Sequence, residues 1–285
     1  MNTCIITGSN SGIGKSAAEQ MAAKGWRVIL ACRNVASGEK ACEHIKKMTK
    51  NDEVYFMKVD LSSMSETIAF ADEFISKFGE LDVLINNAAD FDLSRKTANK
   101  TVEGYESQFA TNVLAPFLLT NRLLNMLKNS SDARIINISS QGLMLYPNLK
   151  LDFDNLQGQK KYNPATTYYQ NKLALLMNSL SLREKLSNTN VTVYAVRVTN
   201  VKIDMSRYQN INAILKFMYK IKSRFSISPD EMAKVYVVLA TGNKVDGFLY
   251  DEKMGEVKAN KFVYHEESRK RLWDICEGLT LEDIK

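Results

Sequence analysis

The sequence predicts a single α/β domain, a doubly wound parallel sheet with helices on both faces. Three observations lead to this fold class. Strand-like and helix-like segments alternate along the chain, the strand-like segments are short runs of apolar and β-branched residues, and no Pro-, Gly- or Ser-rich linker divides the 285 residues. Alternation of this kind places the strands in parallel and covers both faces of the sheet with helices. We therefore expect residues 1–285 to form one domain.

Each predicted strand is a short apolar run, and the predicted helices lie between these runs. The strands are predicted at Cys4–Ile6, Arg27–Cys32, Val54–Val59, Val83–Ile85, Arg134–Ile138, Val191–Val196 and Phe248–Tyr250. The helices are predicted at about Ser16–Lys24, Ser37–Met48, Ser63–Phe78, Tyr105–Leu127 and Tyr168–Leu186, with a further helix that starts at Ser228. Two helix starts have an N-cap serine followed three residues later by glutamate, namely Ser63 with Glu66 and Ser228 with Glu231.

Composition excludes several classes of protein. Hydrophobic residues make up 45% and charged residues 25% of the chain, which is typical of a globular protein and not of a disordered one. The net charge is +6, and residues 202–224 account for most of it, with six basic residues against one acidic residue. A local excess of this size does not indicate a nucleic-acid partner.

Metal binding, secretion and membrane insertion are not indicated either. The four cysteines form no CxxC pair, and with two histidines in the chain no metal site is predicted. The apolar runs are far shorter than the roughly 18 residues of a membrane span. Met1 stands two residues before the first predicted strand, which leaves no room for a signal peptide. We therefore expect a cytoplasmic protein without a transmembrane span.

A glycine-rich turn follows the first strand and opens the first helix, as in Rossmann-type dinucleotide-binding sheets. Its spacing is GxxxGxG, with Gly8 permitting the tight turn, Gly12 the close approach of a pyrophosphate and Gly14 the packing of helix on strand. Backbone N–H groups at the helix start then meet the phosphates. The residues predicted to contact a dinucleotide here are Gly8, Asn10, Ser11, Gly12, Ile13 and Gly14. The alternative interpretation is a βα turn that binds nothing.

The end of the second strand predicts which dinucleotide binds. An NAD site normally has an acidic residue roughly twenty residues beyond the glycines, where it binds the adenine ribose. This chain has Arg33 followed by Asn34 and no acid. Because an arginine fork suits a ribose phosphate, NADP(H) is predicted to be preferred over NAD(H). The alternative is a solvated arginine at a strand end.

With these residues, the chain resembles the short-chain dehydrogenase/reductase family over about residues 3 to 250. The matching motifs are the glycine-rich turn, Asp60-Leu61 after the third strand, Asn86-Asn87-Ala88-Ala89 in place of NNAG, Asn112, Ser139-Ser140, and the YxxxK motif of Tyr168 and Lys172. Residues 25–34 and the tail at 271–277 resemble the branch of retinol dehydrogenases and protochlorophyllide reductases. The resemblance implies cofactor contacts at Asp60, Leu61, Asn87, Ala88, Tyr168, Lys172 and Val201.

The resemblance also implies a catalytic tetrad of Ser140, Tyr168, Lys172 and Asn112. A phenol with a pKa near 10 is a poor acid or base at neutral pH. Lys172 lies four residues after Tyr168 on the same helix face, where its ammonium, together with the positive charge of the oxidised nicotinamide, is expected to lower the pKa of the tyrosine. Ser140 would then donate a hydrogen bond to a substrate oxygen, and Asn112 would hold a water that links Lys172 to solvent.

One stretch departs from the family pattern. Val198-Thr199 stands where relatives have Pro-Gly, Val201 aligns with the residue that contacts the nicotinamide amide, and Ile203 replaces a threonine. We expect an extended backbone here, because a β-branched threonine does not adopt positive φ without strain. The missing glycine would either crowd the nicotinamide or be absorbed by a small backbone shift.

A segment at about residues 205–227 is predicted to be a helical substrate lid. Its apolar residues fall on one helix face, and Lys216, Lys220 and Arg224 fall on the opposite face, while Lys222 breaks the pattern. An apolar lid implies a lipophilic substrate, and a basic outer face is suited to peripheral contact with an anionic membrane. The alternative is a lid packed on its own protein. By analogy with relatives, the helices near 105–127 and 168–186 imply a homo-oligomer.

Together these features predict an oxidoreductase that uses NADP(H) to interconvert a carbonyl and an alcohol on a small lipophilic molecule. The alternative is a dinucleotide-binding sensor or scaffold protein of the same fold with little turnover. Val198-Thr199 favours the alternative slightly, and the complete tetrad argues against it.

Overall fold

Seven parallel strands form the central sheet of the computed structural model, which describes residues 1–202 and 226–280. Within these residues the strands are β1 (Thr3–Thr7), β2 (Arg27–Cys32), β3 (Val54–Lys58), β4 (Val83–Asn86), β5 (Ala133–Ser140), β6 (Val191–Val198) and β7 (Leu249–Tyr250). Their order is β3-β2-β1-β4-β5-β6-β7. Strands β2 and β3 lie on one side of β1, and β4 to β7 lie on the other, so the order in which strands are added to the sheet reverses between β1 and β4. Ligands of such sheets bind at this point.

Helices cover both faces of the sheet. In chain order they are α1 (Gly12–Ala23), α2 (Val35–Thr49), α3 (Met64–Phe78), α4 (Ser107–Phe109), α5 (Ala115–Asn129), α6 (Pro164–Lys185), α7 (Pro229–Thr241) and α8 (Glu266–Thr280). A π-helical turn at Ala110–Leu114 joins α4 to α5, and 3₁₀ turns lie at Gln141–Leu145 and Lys261–Tyr264. The predicted fold class, a single doubly wound α/β domain, is confirmed.

Two hydrophobic cores lie on opposite sides of the sheet. Side chains of alternate residues in β1 enter different cores, with Ile5 on the side of α3, α5 and α6 and Ile6 on the side of α1, α2 and α7. This alternation follows from the two-residue period of a strand. The four cysteines of the chain are all buried and unpaired: Cys4, Cys32, Cys42 and Cys276.

Element boundaries differ from the predicted ones where tertiary or capping contacts decide them. Helix α6 begins one turn before Tyr168, because the Asn163 side chain accepts a hydrogen bond from the N–H of Thr166 and Pro164 occupies the first helical position. The helix predicted at Tyr105–Leu127 is interrupted by the π turn. The Ser228–Glu231 capping box is complete. At Ser63 only the serine half of the capping box forms, in which Ser63 Oγ accepts from the N–H of Glu66. The Glu66 carboxylate accepts from the N–H of Asp60 rather than from that of Ser63.

The predicted lid falls mainly on residues 203–225, which lie outside the described residues, as does Ile203. The residues on either side of this segment pair with each other. Val201 and Ile227 form a parallel β-bridge, and the N–H of Lys202 donates to the carbonyl of Ile227 at 2.9 Å.

Candidate functional site

The glycine-rich turn between β1 and α1 packs against the end of β4. Gly8 and Gly12 have φ angles of +66° and +58°, in the left-handed region that favours glycine. A Cβ on Gly8 would lie 2.9 Å from the Cα of Ala88, so the turn has no room for a side chain there. Gly12 is exposed at the first position of α1, where the N–H groups of the first turn have no partner within the helix.

Asn87 fixes this turn from the neighbouring strand. Its Nδ2 donates to the carbonyl of Thr7 at 2.8 Å, and the Thr7 hydroxyl accepts from the N–H groups of Asn87 and Ala88 at 2.9 and 3.0 Å. A Cβ on Gly14 would lie 2.5 Å from Asn87 Nδ2. The result is a rigid, glycine-lined cradle at a helix N-terminus, which fits the pyrophosphate of a dinucleotide.

The residues predicted to bind the adenosine half lie at the ends of β2 and β3. Arg33 Nη1 is 3.7 Å from Asp60 Oδ2, and 74% of the Arg33 side chain is exposed, so its guanidinium remains accessible. The N–H and hydroxyl of Ser62 hold the Asp60 carboxylate. Leu61 is buried behind it. On the other side, Asn10 Nδ2 donates to the hydroxyl of Ser37 in the first turn of α2 at 2.9 Å.

Tyr168, Lys172 and Ser140 meet where α6 passes the end of β5. Lys172 Nζ donates to the carbonyl of Ile138 at 2.7 Å and lies 5.7 Å from the centre of the Tyr168 ring. The Ser140 hydroxyl accepts from the N–H of Gly142 at 3.1 Å and is also hydrogen-bonded with the Tyr168 hydroxyl. These three predicted residues therefore share one site. Tyr236 links it to the glycine cradle, because its hydroxyl lies 3.4 Å from Asn87 Oδ1 and Tyr168 acts on it electrostatically.

Burial controls the pKa values of the tyrosine and the lysine. Burial raises the pKa of Tyr168, the nearby Tyr169 raises it further, and a hydrogen bond with Ser140 lowers it. Burial lowers the pKa of Lys172 to about 8. The sequence prediction had the Lys172 ammonium lowering the pKa of Tyr168. Among the groups of the chain itself, loss of water has the largest effect on both pKa values, because a buried phenolate and a buried ammonium are both disfavoured.

Asn112 lies in the π turn, and its side chain binds a neighbouring loop. Its Oδ1 accepts from the N–H of Asp90 at 2.8 Å, and its Nδ2 donates to the carbonyl of Asp90 at 2.9 Å. The carboxamide is thus engaged by backbone. Pro116 has no N–H, so the Asn112 carbonyl lacks the donor that an α-helix would provide four residues later. The π turn accommodates this gap.

The stretch that departs from the family pattern continues strand β6. Val198 pairs with Ser140 in the sheet, and the Thr199 hydroxyl donates to Gln141 Oε1 at 2.7 Å. The segment is thereby tied to the turn that follows Ser140. Val201 is half-buried at the bridge to Ile227.

Several residues of this region carried no signal in the sequence. The buried Tyr236 of α7 places its hydroxyl 3.4 Å from Asn87 Oδ1. Phe91 packs against Tyr168 with ring centres 4.3 Å apart and tilted ring planes. Arg95 pairs with Asp90. Tyr236 and Asn87 are 149 residues apart in the chain, so only the folded structure brings them together.

Comparison with known proteins identifies the family. The family model for short chain dehydrogenases matches residues 2–150. The chain belongs to the short chain dehydrogenase family and is therefore an oxidoreductase of that family. Within the family it lies in the retinol dehydrogenase-like branch, since it is 35% identical over 281 residues to retinol dehydrogenase 12 of Mus musculus, covering 98% of this chain and 86% of the relative.

Two further comparisons agree with this placement. Retinol dehydrogenase 14 of Homo sapiens is 32% identical over 292 residues, covering 96% of this chain and 85% of the relative. A crystal structure of an uncharacterised protein from Mycobacterium paratuberculosis superposes with a TM-score of 0.71 at 26% identity, covering 98% of this chain and 93% of that one. Among the described residues, no helix is long and apolar enough to cross a membrane.

Proposed function

We propose that this protein is an NADP(H)-dependent oxidoreductase that interconverts a carbonyl and an alcohol on a lipophilic small molecule. The observation that carries the proposal is the convergence of Tyr168, Lys172 and Ser140 beside the glycine cradle. A nicotinamide dinucleotide bound in the cradle supplies or accepts the hydride. Relatives in this branch are named for retinol, a lipophilic alcohol, which supports a substrate of that class.

Tyr168 is the general acid in the reducing direction. Because burial raises the pKa of its phenol, the group is protonated at neutral pH and has a proton to donate to the carbonyl oxygen. Ser140 donates a hydrogen bond to the same oxygen and stabilises the negative charge that develops there. In the oxidising direction Tyr168 first passes its proton to the relay through Lys172, and the resulting phenolate accepts the proton of the alcohol.

Lys172 activates and resupplies Tyr168. Its positive charge favours the phenolate left after proton transfer, and a pKa of about 8 lets it exchange protons near neutral pH. The backbone carbonyl of Asn112, rather than its engaged carboxamide, is the group available to a water that connects Lys172 with solvent. The proposed relay role of Asn112 therefore runs through its backbone carbonyl.

Replacement of Tyr168 tests the reaction. Tyr168→Phe should lower turnover of hydrophobic aldehydes and ketones by roughly 100-fold or more, while NADPH affinity changes little. Tyr169→Phe is the matched control, because Tyr169 adjoins Tyr168 but has no lysine four residues later. Turnover is followed as NADPH oxidation. If both variants lose activity equally, Tyr168 is not the acid; NADPH binding without turnover by the wild type would favour the sensor or scaffold alternative.

Arg33 is the proposed determinant of NADP(H) preference. Its exposed guanidinium and the N-terminus of α2 both favour a ribose phosphate at this point. NADPH should bind about tenfold more tightly than NADH, or about 1.4 kcal/mol, and Arg33→Ala should remove most of this difference. Lys47→Ala removes the same charge from the opposite end of α2 and should leave the difference between NADPH and NADH affinity intact. The dissociation constants of NADPH and NADH are measured by titration. Equal affinities for the two dinucleotides in the wild type would contradict the proposal.

A further inference from the structure

An ion pair closes the loop that follows β4. Arg95 Nη1 lies 2.7 Å from Asp90 Oδ2 and Arg95 Nη2 lies 2.9 Å from Asp90 Oδ1, so the guanidinium grips both carboxylate oxygens. Both side chains are only about one-fifth exposed, at 21% and 20%. The Ser107 hydroxyl, at the start of α4, accepts from Arg95 at 2.7 Å and donates to Asp90 at 3.2 Å.

The backbone of this loop contacts two members of the proposed tetrad. The N–H and carbonyl of Asp90 both bind the Asn112 carboxamide. The next residue, Phe91, places its ring against the Tyr168 ring with centres 4.3 Å apart and planes at 49°. The position of Asp90 therefore affects the π turn and the proposed acid together.

We propose that Arg95 is a positioning residue for the reaction: by holding Asp90, it fixes Asn112 and the Phe91 ring against Tyr168. The inference rests on the proposed function, because it assigns roles around the same tetrad. A two-point guanidinium–carboxylate pair has a narrow geometry, which a single-point lysine pair does not reproduce. A pair shielded to this extent is also less screened by water than an exposed one.

Among the described residues, Asp90 is the carboxylate that Arg95 contacts at two points, and its other contacts are looser. Its second carboxylate, Asp92, lies 3.4 Å from Nε and is 45% exposed, and Tyr162 and Glu106 also interact electrostatically with the guanidinium. Removing Arg95 leaves the Asp90 carboxylate with the Ser107 hydroxyl as its remaining partner among these groups. The loop would then move toward water to solvate that charge, because an unpaired, shielded carboxylate is costly.

The kinetic test compares Arg95→Gln with Arg27→Gln. Arg27 pairs with Glu53 at 2.8 Å, has the same 21% exposure and lies at the amino end of β2, away from the site. Arg95→Gln should lower kcat about tenfold and shift the pH profile of kcat, while KM for NADPH stays within twofold. Arg27→Gln should leave kcat and its pH profile unchanged. Arg95→Lys should recover only part of the loss.

Hydrogen exchange tests the positioning without a substrate. In Arg95→Gln, amides of residues 110–114 should exchange at least about fivefold faster than in the wild type, because the Asp90–Asn112 bonds loosen. Arg27→Gln should not change exchange there. If the wild type turns over nothing, the proposed function fails while this measurement still decides the positioning role. Equal exchange, equal kcat and equal pH profiles in the two glutamine variants would overturn the inference.

Discussion

At the residue scale, burial of ionisable groups shapes this site more than pairing of opposite charges does. Lys172 is 2% exposed, faces a carbonyl oxygen rather than a carboxylate, and has its pKa lowered to about 8. A lysine kept in this state costs folding free energy at neutral pH, since the ammonium is better solvated in the unfolded chain. The protein retains a destabilising residue at the position where the chemistry requires a proton exchanger.

The cost of burying Lys172 predicts a pH-dependent stability difference. The folded pKa of about 8 lies below the unfolded value of 10.5, so the penalty is complete below pH 8 and disappears as the pH rises toward 10.5. Lys172→Met should therefore be more stable than the wild type by about 2 kcal/mol at pH 7, after allowance for the lost hydrogen bond to Ile138. Urea unfolding from pH 7 to 10.5 measures the difference, and a gap that stays constant over this range would contradict the assignment.

At the element scale, the sequence predicts starts and faces where the signal is local. The start of α7 follows from Ser228, Pro229 and Glu231, all within one turn. The start of α6 also has a local signal, Asn163-Pro164, which lies one turn before the start predicted at Tyr168. The π turn follows from Pro116, whose missing N–H forbids a regular helix around Asn112.

In the candidate site, too, the parts that depend on residues close in the sequence could be predicted, and the contacts between distant residues could not. Tyr168 and Lys172 share a face by helical spacing, and the three glycines of the cradle lie within residues 8–14, so both were predictable. Contacts such as Tyr236 with Asn87 join a helix to a strand end far away in the chain. The Arg95–Asp90 pair lies in a loop without periodicity, where sequence spacing does not determine which charges meet.

The capping box of α7 is expected to contribute measurably to stability. Ser228→Ala removes the acceptor of the Glu231 N–H and should lower the free energy of unfolding by about 1 kcal/mol. Ser187→Ala, at an exposed serine in the turn after α6, should change it by no more than about 0.5 kcal/mol. Urea unfolding of both variants gives the comparison, and equal losses would mean that the cap is not what stabilises this helix start.

At the scale of the whole molecule, α8 lies across the long helices that were predicted to mediate self-association. Trp273 packs edge-on against Phe117 of α5 at 4.8 Å, and Lys185 of α6 lies over its ring. Arg269 pairs with Glu184 at 2.6 Å. These helices are therefore packed against the chain's own C-terminal helix, and a homo-oligomer remains a prediction that sedimentation can test.

Docking of α8 is expected to depend on Trp273. Its side chain is 9% exposed and belongs to the core beneath α5 and α6. Trp273→Ala should lower the free energy of unfolding by about 3 kcal/mol, because a large buried ring is replaced by a cavity. Tyr264→Ala, at a ring that is 54% exposed, should cost less than about 1 kcal/mol. A Trp273→Ala variant as stable as the Tyr264→Ala variant would show that α8 contributes little to folding.

The four buried cysteines can report local opening of the folded protein. A thiol-specific reagent reaches a sulfur only when the surrounding structure opens, and the four sulfurs lie in β1, β2, α2 and α8. Labelling one position at a time, with the other three replaced by alanine, would therefore time the local opening of a central strand, its neighbour, a covering helix and the C-terminal helix separately. The four native cysteines thus serve as probes at four places in the fold, and no new cysteine has to be introduced to rank how often each part opens.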